Sequence, residues 1–374
     1  MRSKNLTKLP IVFYAAHLPP HSHTAAAVRC DLLIREMQNS GLPVEVWTSS
    51  HLPSNKESFL FRLTKEVKAG MILSLRVWGL RLRGPVPRFF VLSSPPYIVC
   101  LMASWACRLS RIPYVLDVRD LYPEAYFHAG LIGEKSLHGR FQKFLARTFY
   151  SGAKHIFAAT QGLKEHIEGQ LGRAQEVTLV RNGFDSNVFS ALGTPPGEFT
   201  CVFHGNLGHM QNIDLLMDVA SRVYVKKPSI RFLVMGQGVQ EHLLKTKAPP
   251  NLQFIGEISY SEIPKRLSMA HLGISFREDG LMGQTAFPVK VYEYIGSGLP
   301  SIVTPRGEAG QILENEGMGF QFDNVETGRI VDCILRLSDK GTEYEQLRQR
   351  VCELRDSYSR QRSAQLFVAN LMTR

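Results

Sequence analysis

The chain has 374 residues, more than one hydrophobic core usually organises, so two α/β domains are expected. Its formal net charge of +11 calls for an acidic partner, which means a nucleotide, an anionic lipid or nucleic acid. The apolar runs are too short to span a bilayer, and the six cysteines lack the CxxC spacing of a zinc site. We therefore expect a protein of the reducing cytoplasm, either free or lying on the inner face of the membrane.

The first half of the chain alternates between buried strands and amphipathic helices. The strand pattern occurs at residues 11–14, 44–47, 89–92, 114–118, 155–159 and 177–180, and the helix pattern at 29–40 and 97–109. This alternation is typical of a doubly wound parallel sheet, in which ligands bind beyond the carboxyl ends of the strands.

A second set of alternating elements follows the breaker-rich stretch at residues 193–197. Strands are predicted at 200–204, 231–235, 252–255, 272–275 and 301–303, with helices at 213–225, at 263–269 and around Glu293. We place a domain boundary at the breaker-rich stretch, which divides the chain into residues 1–195 and 196–355. The amphipathic segment 356–374 is predicted to be a final helix.

A cationic, amphipathic segment lies between residues 65 and 90. It carries six basic residues against one acid and interleaves them with apolar side chains that include Trp78. Such a segment can lie in a membrane interface and draw on anionic headgroups. The alternative is a core helix and strand whose exposed positions happen to be basic. Nucleic acid is disfavoured, because no helix-turn-helix, zinc-finger or RNP-type signature accompanies the charge.

The most informative motif runs from residue 287 to residue 303. Glu293 stands three residues after Lys290, so the two share one face of a helix that Gly-Ser-Gly-Leu-Pro ends. A carboxylate can accept paired hydrogen bonds from a ribose diol, and a lysine beside it can meet a phosphate. A surface ion pair on an ordinary helix is the plainer alternative.

A glycine turn follows the strand predicted at 200–204. Gly205, Asn206 and Gly208 lie where this strand turns towards a helix, and backbone N–H groups in such a turn suit a diphosphate. Tight strand-to-helix turns also use glycine for structural reasons alone.

These motifs, in this order, resemble the retaining GT-B glycosyltransferases of family 4, in particular the subgroup that assembles polysaccharides such as O-antigen. The resemblance covers most of residues 90–320 and includes Pro-x-Lys-x-x-Glu-Tyr at 288–294, Met-Gly-Gln-Gly at 235–238 and Asn-Gly-Phe-Asp at 182–185. It implies an α/β GT-B fold, with two Rossmann-like doubly wound domains facing a cleft. It also implies that the final helix crosses back to the first domain.

The resemblance implies a binding site for a nucleotide-sugar donor in the second domain. Glu293 matches the glutamate that holds the ribose, and Thr285 stands where the family has another glutamate. Polar residues, among them Gln211, replace the cations that hold the diphosphate, so Lys290 and Arg277 are expected to supply that charge. The expected donor-binding residues are Glu293, Lys290, Gly205, Asn206, Gly208, Gly236, Gly256, Thr285 and Arg277.

In the first domain, the resemblance assigns the chemistry to Arg119 and Asp120. They belong to an Arg-Asp-Leu-Tyr-Pro-Glu block that directly follows a predicted strand. Asp120 would bind sugar hydroxyls, and Arg119 would counter the charge that develops on the phosphate. The alternative is a structural network of Arg119, Asp120 and Glu124 at the start of a helix.

The loop after the first strand approaches the acceptor in this family, which implicates His17, His23 and Arg29 in acceptor binding. Histidines in a proline-containing loop without nearby carboxylates are a weak set of metal ligands. The chain has no Asp-x-Asp motif to bridge a metal ion to a diphosphate. We therefore expect no metal and a metal-independent mechanism.

The resemblance leads to the prediction of a retaining glycosyltransferase of the hexosyltransferase type. It would move a sugar from a nucleotide-diphosphate sugar, with a UDP-sugar as the expected donor, to a glycan or lipid-pyrophosphate-linked acceptor in cell-surface polysaccharide assembly. Residues 65–90 would meet an anionic membrane surface. Two alternatives stay open: a catalytically weak GT-B partner subunit, and a nucleotide-sugar epimerase, for which we find no clear pair of acid–base carboxylates.

Overall fold

The computed structural model describes residues 9–19, 25–49, 59–83, 86–172, 176–191, 195 and 197–373. The chain forms two compact units, each built on its own parallel sheet. The first domain comprises the chain up to Arg181 together with Ser363 onward, and the second domain comprises Asn182–Arg362.

The boundary between the domains lies after Arg181, earlier than the predicted residue 195. The reason is the placement of Phe184, whose ring lies in the core of the second domain. The backbone N–H of Phe184 donates to the carbonyl of Tyr358 at 3.1 Å, and its carbonyl accepts from the N–H of Arg360 at 2.7 Å. These contacts fix the start of the second domain against its own end.

The first domain contains a six-stranded parallel sheet with the strand order β2-β1-β3-β4-β5-β6. Its strands are β1 (Ile11–Ala15), β2 (Val44–Thr48), β3 (Phe89–Ser94), β4 (Tyr114–Val118), β5 (His155–Ala158) and β6 (Val177–Leu179). Its helices are α1 (Ala25–Asn39), α2 (Phe59–Arg83), α3 (Tyr97–Leu109), α4 (Glu124–His128), α5 (Leu137–Ser151) and α6 (Gln161–Leu171). Every residue of β1, β3, β4 and β5 is buried, as expected for a parallel sheet with both faces covered.

The second domain contains another six-stranded parallel sheet, with the order β12-β11-β10-β7-β8-β9. Its strands are β7 (Thr200–His204), β8 (Arg231–Met235), β9 (Leu252–Phe254), β10 (Leu272–Phe276), β11 (Ser301–Thr304) and β12 (Gly319–Gln321). Its longer helices are α7 (Ile213–Lys226), α8 (Glu241–Lys247), α11 (Val289–Gly296), α12 (Glu308–Asn315), α13 (Thr327–Leu337) and α14 (Thr342–Leu354). The short helices α9 (Ile263–Leu267) and α10 (Leu281–Gln284) complete it. The carboxyl ends of all six strands meet at one edge of this sheet, where the predicted donor-binding residues follow them.

The last helix, α15 (Arg360–Met372), begins in the second domain and continues in the first. Its apolar side chains enter the core of the first domain, where Phe367 packs on Phe157 with the ring centres 4.3 Å apart. The core residues that α15 contributes are Ala364, Phe367, Val368 and Leu371.

Helix α2 buries one side and leaves a large apolar surface on the other. Leu73 and Val77 face inward, whereas five apolar residues are about half exposed. This α2 apolar face consists of Phe61 (51%), Met71 (49%), Ile72 (48%), Leu75 (63%) and Trp78 (47%). The strand β3 that ends the predicted basic segment is fully buried. Among the described residues, no helix combines the length and the hydropathy that crossing a bilayer requires.

Candidate active site

Helix α11 carries both the carboxylate and the lysine of the predicted donor site, and it is fixed against the sheet. The ring of Tyr294 packs so closely on β10 that a Cβ at Gly273 would overlap it. The Tyr294 hydroxyl lies within hydrogen-bonding distance of two carbonyl oxygens, at 3.2 Å from Val202 and 3.0 Å from Ile274. These contacts hold α11 beside the carboxyl end of β7.

Glu293 is buried next to a histidine. Only 5% of its surface is exposed, and its Oε2 lies 3.3 Å from Nε2 of His204. Burial raises the pKa of Glu293 to about 7, although Arg360, Tyr260 and Lys290 oppose the shift. Burial and the Lys290 charge lower the pKa of His204 to about 3, so this imidazole is neutral. The Glu293 carboxyl group is therefore protonated more readily than an ordinary glutamate.

Lys290 is also buried, and its position is set by two contacts. Its Nζ donates to Oε1 of Gln211 at 2.9 Å and lies 3.6 Å from the ring centre of Phe203. Burial and the charge of Arg277 lower the pKa of Lys290 well below its usual range, while Glu293 acts to raise it. The alternative of an exposed i,i+3 ion pair is wrong, because both side chains are buried.

The turns after β7, β8 and β9 lie together at the same edge of the sheet. Gly236 has a φ angle of +139°, and a Cβ there would overlap the carbonyl oxygen of Gly205. The N–H of Gly236 donates to the carbonyl of Gly256 at 2.8 Å. Close approach of these backbones therefore requires glycine at position 236.

The turn after β7 offers fewer amide groups to a diphosphate than the sequence suggests. The N–H of Gly205 already donates to the last carbonyl of β8 at 3.0 Å, and that of Leu207 donates to Gln237 at 2.8 Å. Gly205 therefore shapes the turn and does not present its amide. The backbone amides of the exposed Asn206 and the half-buried Gly208 take no part in these two hydrogen bonds.

Thr285 and Arg277 differ in what they can offer. The Thr285 hydroxyl donates to the carbonyl of Leu281 at 2.8 Å at the end of α10, which leaves its oxygen able to accept a hydrogen bond. Arg277 directly follows β10, and its charge lowers the pKa of Lys290. Two cations are thus neighbours at this edge of the sheet.

Three residues that surround Glu293 were not predicted from the sequence. His204 ends β7, and its Nε2 faces the carboxylate without an aligned hydrogen bond. Arg360 is 3% exposed, and its buried Nε and Nη1 atoms donate no hydrogen bond within the described part of the chain. Tyr260 lies beside both Glu293 and Arg360. The Phe-His-Gly sequence at the strand end was a usable signal for His204, whereas no local pattern marks Arg360.

In the first domain, Arg29 has a structural role and is not presented to an acceptor, which corrects the prediction. It is 3% exposed, and its Nη2 lies 2.8 Å from Oδ1 of Asp117. Its guanidinium also donates to the carbonyls of Val180 at 2.9 Å and Arg181 at 2.8 Å. Burial acts to raise the pKa of Asp117, but the charge and hydrogen bond of Arg29, the charge of Arg119 and the hydrogen bond of Ser93 together hold that pKa below its usual range. Arg29 therefore ties α1 to the ends of β4 and β6.

Arg119 and Asp120 follow β4, and Glu124 begins α4. The Nη2 of Arg119 donates to the carbonyl of Pro95 at 2.6 Å. Glu124 contacts α6, with its Oε1 3.1 Å from Nε2 of His166. Asp120 is exposed just beyond the carboxyl end of β4, which is where a ligand of such a sheet is expected.

Of the two histidines predicted to bind the acceptor, only His17 lies within the described residues. His17 is exposed in the loop after β1, and His23 lies outside the described residues. Within the described ranges, no group of three or more His, Cys, Asp or Glu side chains is placed to hold a metal ion.

Two family profiles match the chain, one in each half. The profile described as "Glycosyl transferases group 1" matches residues 185–353, and "Glycosyl transferase 4-like domain" matches residues 24–183. The probable glycosyltransferase WbjE of Pseudomonas aeruginosa is 23% identical over 309 residues, which cover 77% of this chain and 76% of WbjE.

Solved structures share the fold at low sequence identity. Anabaena Alr3699/HepE in complex with UDP and glucose gives a TM-score of 0.68 at 14% identity, covering 98% of this chain and 100% of that chain. The lipopolysaccharide outer core galactosyltransferase WaaB, in its apo form, gives 0.67 at 12% identity, covering 98% and 99%. The predicted two-domain α/β fold of the GT-B class is confirmed. Since the profiles account for both halves of the chain on this fold, the protein belongs to the group 1 glycosyltransferases.

Proposed function

We propose that this protein is a retaining, metal-independent hexosyltransferase that uses a UDP-sugar as its donor. The observation that carries the proposal is the buried pair of Glu293 and Lys290 on α11, held beside the carboxyl end of β7. Similar folds occur in Alr3699/HepE complexes with UDP and with UDP-glucose, which supports the choice of donor.

In this proposal each charged group acts on a different part of the donor. Glu293 accepts hydrogen bonds from the two ribose hydroxyls, for which its carboxylate has enough acceptor sites. Lys290 and Arg277 place positive charge where the diphosphate leaves, and the amides of Asn206 and Gly208 add donors. These two side chains neutralise the diphosphate charge, as a divalent ion does in other transferases.

The reaction proceeds as a front-face displacement, in which the departing phosphate oxygen takes the proton of the acceptor hydroxyl. The sugar–phosphate bond breaks as the new glycosidic bond forms on the same face, so no carboxylate nucleophile is needed. Asp120 orients a sugar through its hydroxyl groups, in keeping with its exposure beyond β4.

We place the acceptor, a glycan or a lipid-pyrophosphate-linked glycan, at a membrane surface in polysaccharide assembly. The α2 apolar face is flanked by the exposed cations Lys68, Arg76 and Arg81. Apolar burial and attraction to anionic headgroups act together in such a surface. The name of one relative, the putative teichuronic acid biosynthesis glycosyltransferase TuaH of Bacillus subtilis, supports this context.

The donor assignment is tested by calorimetric titration of the full chain with UDP, GDP and ADP without added metal. We expect saturable binding of UDP, lost in Glu293→Ala and kept in Glu345→Ala, whose carboxylate is exposed on α14. Retention of wild-type UDP affinity in Glu293→Ala would overturn the ribose assignment.

The membrane assignment is tested by flotation with phosphatidylglycerol-containing vesicles. We expect Leu75→Glu combined with Trp78→Glu to abolish co-flotation, because both changes put charge on the α2 apolar face. Val325→Glu is the matched control, since Val325 is 89% exposed in the second domain. Unchanged flotation of the double variant contradicts the assignment.

A catalytically weak partner subunit is the second candidate. It is favoured by the engagement of Lys290 with Gln211 and of the Gly205 amide with β8, which leaves fewer groups for a diphosphate. Failure of all three nucleotides to bind would select this candidate over the transferase.

A further inference from the structure

The first domain contains a cavity of about 180 Å³ that no part of the donor site uses. It lies between the start of α2 and the segment that follows β4, with Arg62 and Glu66 on one side and Tyr122 and Tyr126 on the other. The volume corresponds to about six water molecules, which is room for a single sugar ring. Its place after β4 is the edge of the sheet where ligands bind.

The aromatic wall of this cavity is held rigidly. The ring of Tyr122 stacks on the buried ring of Tyr97, with the centres 5.3 Å apart and the planes 6° apart. Tyr126 meets Tyr122 edge to face at 5.0 Å. Rings fixed in this way offer flat apolar surfaces, on which the C–H groups of a sugar pack without further ordering of the protein.

The polar wall offers groups that match sugar hydroxyls. Glu66 faces α3, where its carboxyl group forms a hydrogen bond with the backbone of Ile98. Its Oε2 is buried and has no hydrogen-bond partner within the described ranges. Burial raises the pKa of Glu66, although Arg62 and Ile98 oppose the shift. A buried acceptor without a partner costs free energy, and a turn of the Glu66 carboxyl group towards the cavity would let a sugar hydroxyl recover that cost.

We propose that this cavity binds one sugar residue, packed against Tyr122 and Tyr126 and hydrogen-bonded to Glu66 and Arg62. The arrangement of an aromatic platform with a few converging polar groups is typical of a small-molecule site. The assignment of that sugar to the acceptor rests on the proposed transferase function. The proposal that the cavity binds a sugar depends only on the cavity's shape and lining residues.

Saturation-transfer NMR on the full chain tests the site, with glucose, galactose, mannose and N-acetylglucosamine as probes. We expect saturation transfer to at least one of them, strongest at the protons on one face of the ring, because that face contacts the tyrosines. Glu66→Gln and Tyr126→Leu should each weaken binding about tenfold or more. Thr64→Ala is the control, since Thr64 is exposed on the same helix and should leave the signal unchanged.

Titration with UDP in the same variants separates this proposal from the proposed function. If saccharide binding is lost in both variants while UDP binds as in wild type, the cavity is the sugar site. If no probe receives saturation, or both variants keep the signal, the proposal is overturned. If both variants lose the saccharide signal but UDP does not bind even to the wild-type protein, the cavity is still a sugar site and the transferase assignment is wrong.

Discussion

Replacing Glu293 with glutamine should make the protein more stable and, at the same time, a weaker binder of UDP-glucose. The pKa of this carboxyl group is raised from 4.5 to about 7 by burial. Each unit of pKa corresponds to about 1.4 kcal/mol, so the ionised group costs the folded state about 3 kcal/mol at alkaline pH. Glutamine keeps the shape of the side chain and removes the charge.

The size of this effect depends on pH. A carboxyl group whose folded pKa is raised favours folding below its ordinary pKa, and that contribution is lost as the pH rises through about 7. The stabilisation of Glu293→Gln should therefore be close to its full value at about pH 8 and nearly absent at about pH 4.5.

Urea unfolding can resolve the two domains in this protein. All three tryptophans, Trp47, Trp78 and Trp105, lie in the first domain, so their fluorescence follows that domain while circular dichroism follows both. We expect Glu293→Gln to shift a transition that circular dichroism detects and tryptophan fluorescence does not. Glu345→Gln, an exposed change in the second domain, should have little effect. A variant that is less stable at alkaline pH, or equally stabilised at both pH values, would refute the reasoning.

UDP-glucose binding should be favoured at alkaline pH, where the ionised carboxylate lowers stability. The reason is that the ribose hydroxyls donate hydrogen bonds to the ionised carboxylate. The affinity of the wild-type protein for UDP-glucose should fall about tenfold from its plateau above pH 8 to about pH 6. UDP-glucose is the suitable ligand, since its diphosphate has no titrating proton in this range. The glutamine variant should bind weakly and show no such slope, and a flat profile in the wild type would contradict the role of Glu293.

Three further predictions concern the surroundings of this carboxylate. Lys290→Met should weaken the binding of UDP-glucose about tenfold or more but leave the binding of uridine nearly unchanged, because the lysine contacts the diphosphate. Calorimetric titration with both ligands checks this, and equal losses of affinity would argue against it. Arg360→Gln should move the midpoint of the pH–affinity profile upward, since the arginine lowers the pKa of Glu293, and an unmoved midpoint would show that Arg360 does not act on it. Gly236→Ala should destabilise the second domain by several kcal/mol, because its φ of +139° and its contact with the neighbouring turn exclude a Cβ. Gly328→Ala, which meets open space, is the control in urea unfolding, and similar losses in both would contradict the packing argument.

The strands were predictable because a parallel sheet covered on both faces requires nearly continuous apolar sequence. The segments that became β1, β3 and β4 are of this kind, and each is wholly buried. The placement of Glu293 and Lys290 on one short helix was likewise a local property, set by their spacing and by the glycines that end α11.

The environment of these residues was not predictable, because it depends on contacts between distant parts of the chain. Arg360 reaches Glu293 only after the end of the second domain folds back on its start. Arg29 appeared suited to an acceptor until the fold paired it with Asp117. The amide of Gly205 is occupied because the next turn lies against it, and no sequence pattern reports that distance.

The path of α15 has a consequence for how the protein is made. The core of the first domain includes Phe367 and Leu371, which the ribosome adds only after the whole of the second domain. The segment up to Arg181 therefore emerges with part of its apolar interior uncovered, while Asn182–Arg362 can close on itself as soon as it has left the exit tunnel. Domains usually fold in the order of their synthesis. Here the domain that begins later is the first that can be completed during translation, and the earlier one must wait for its final helix.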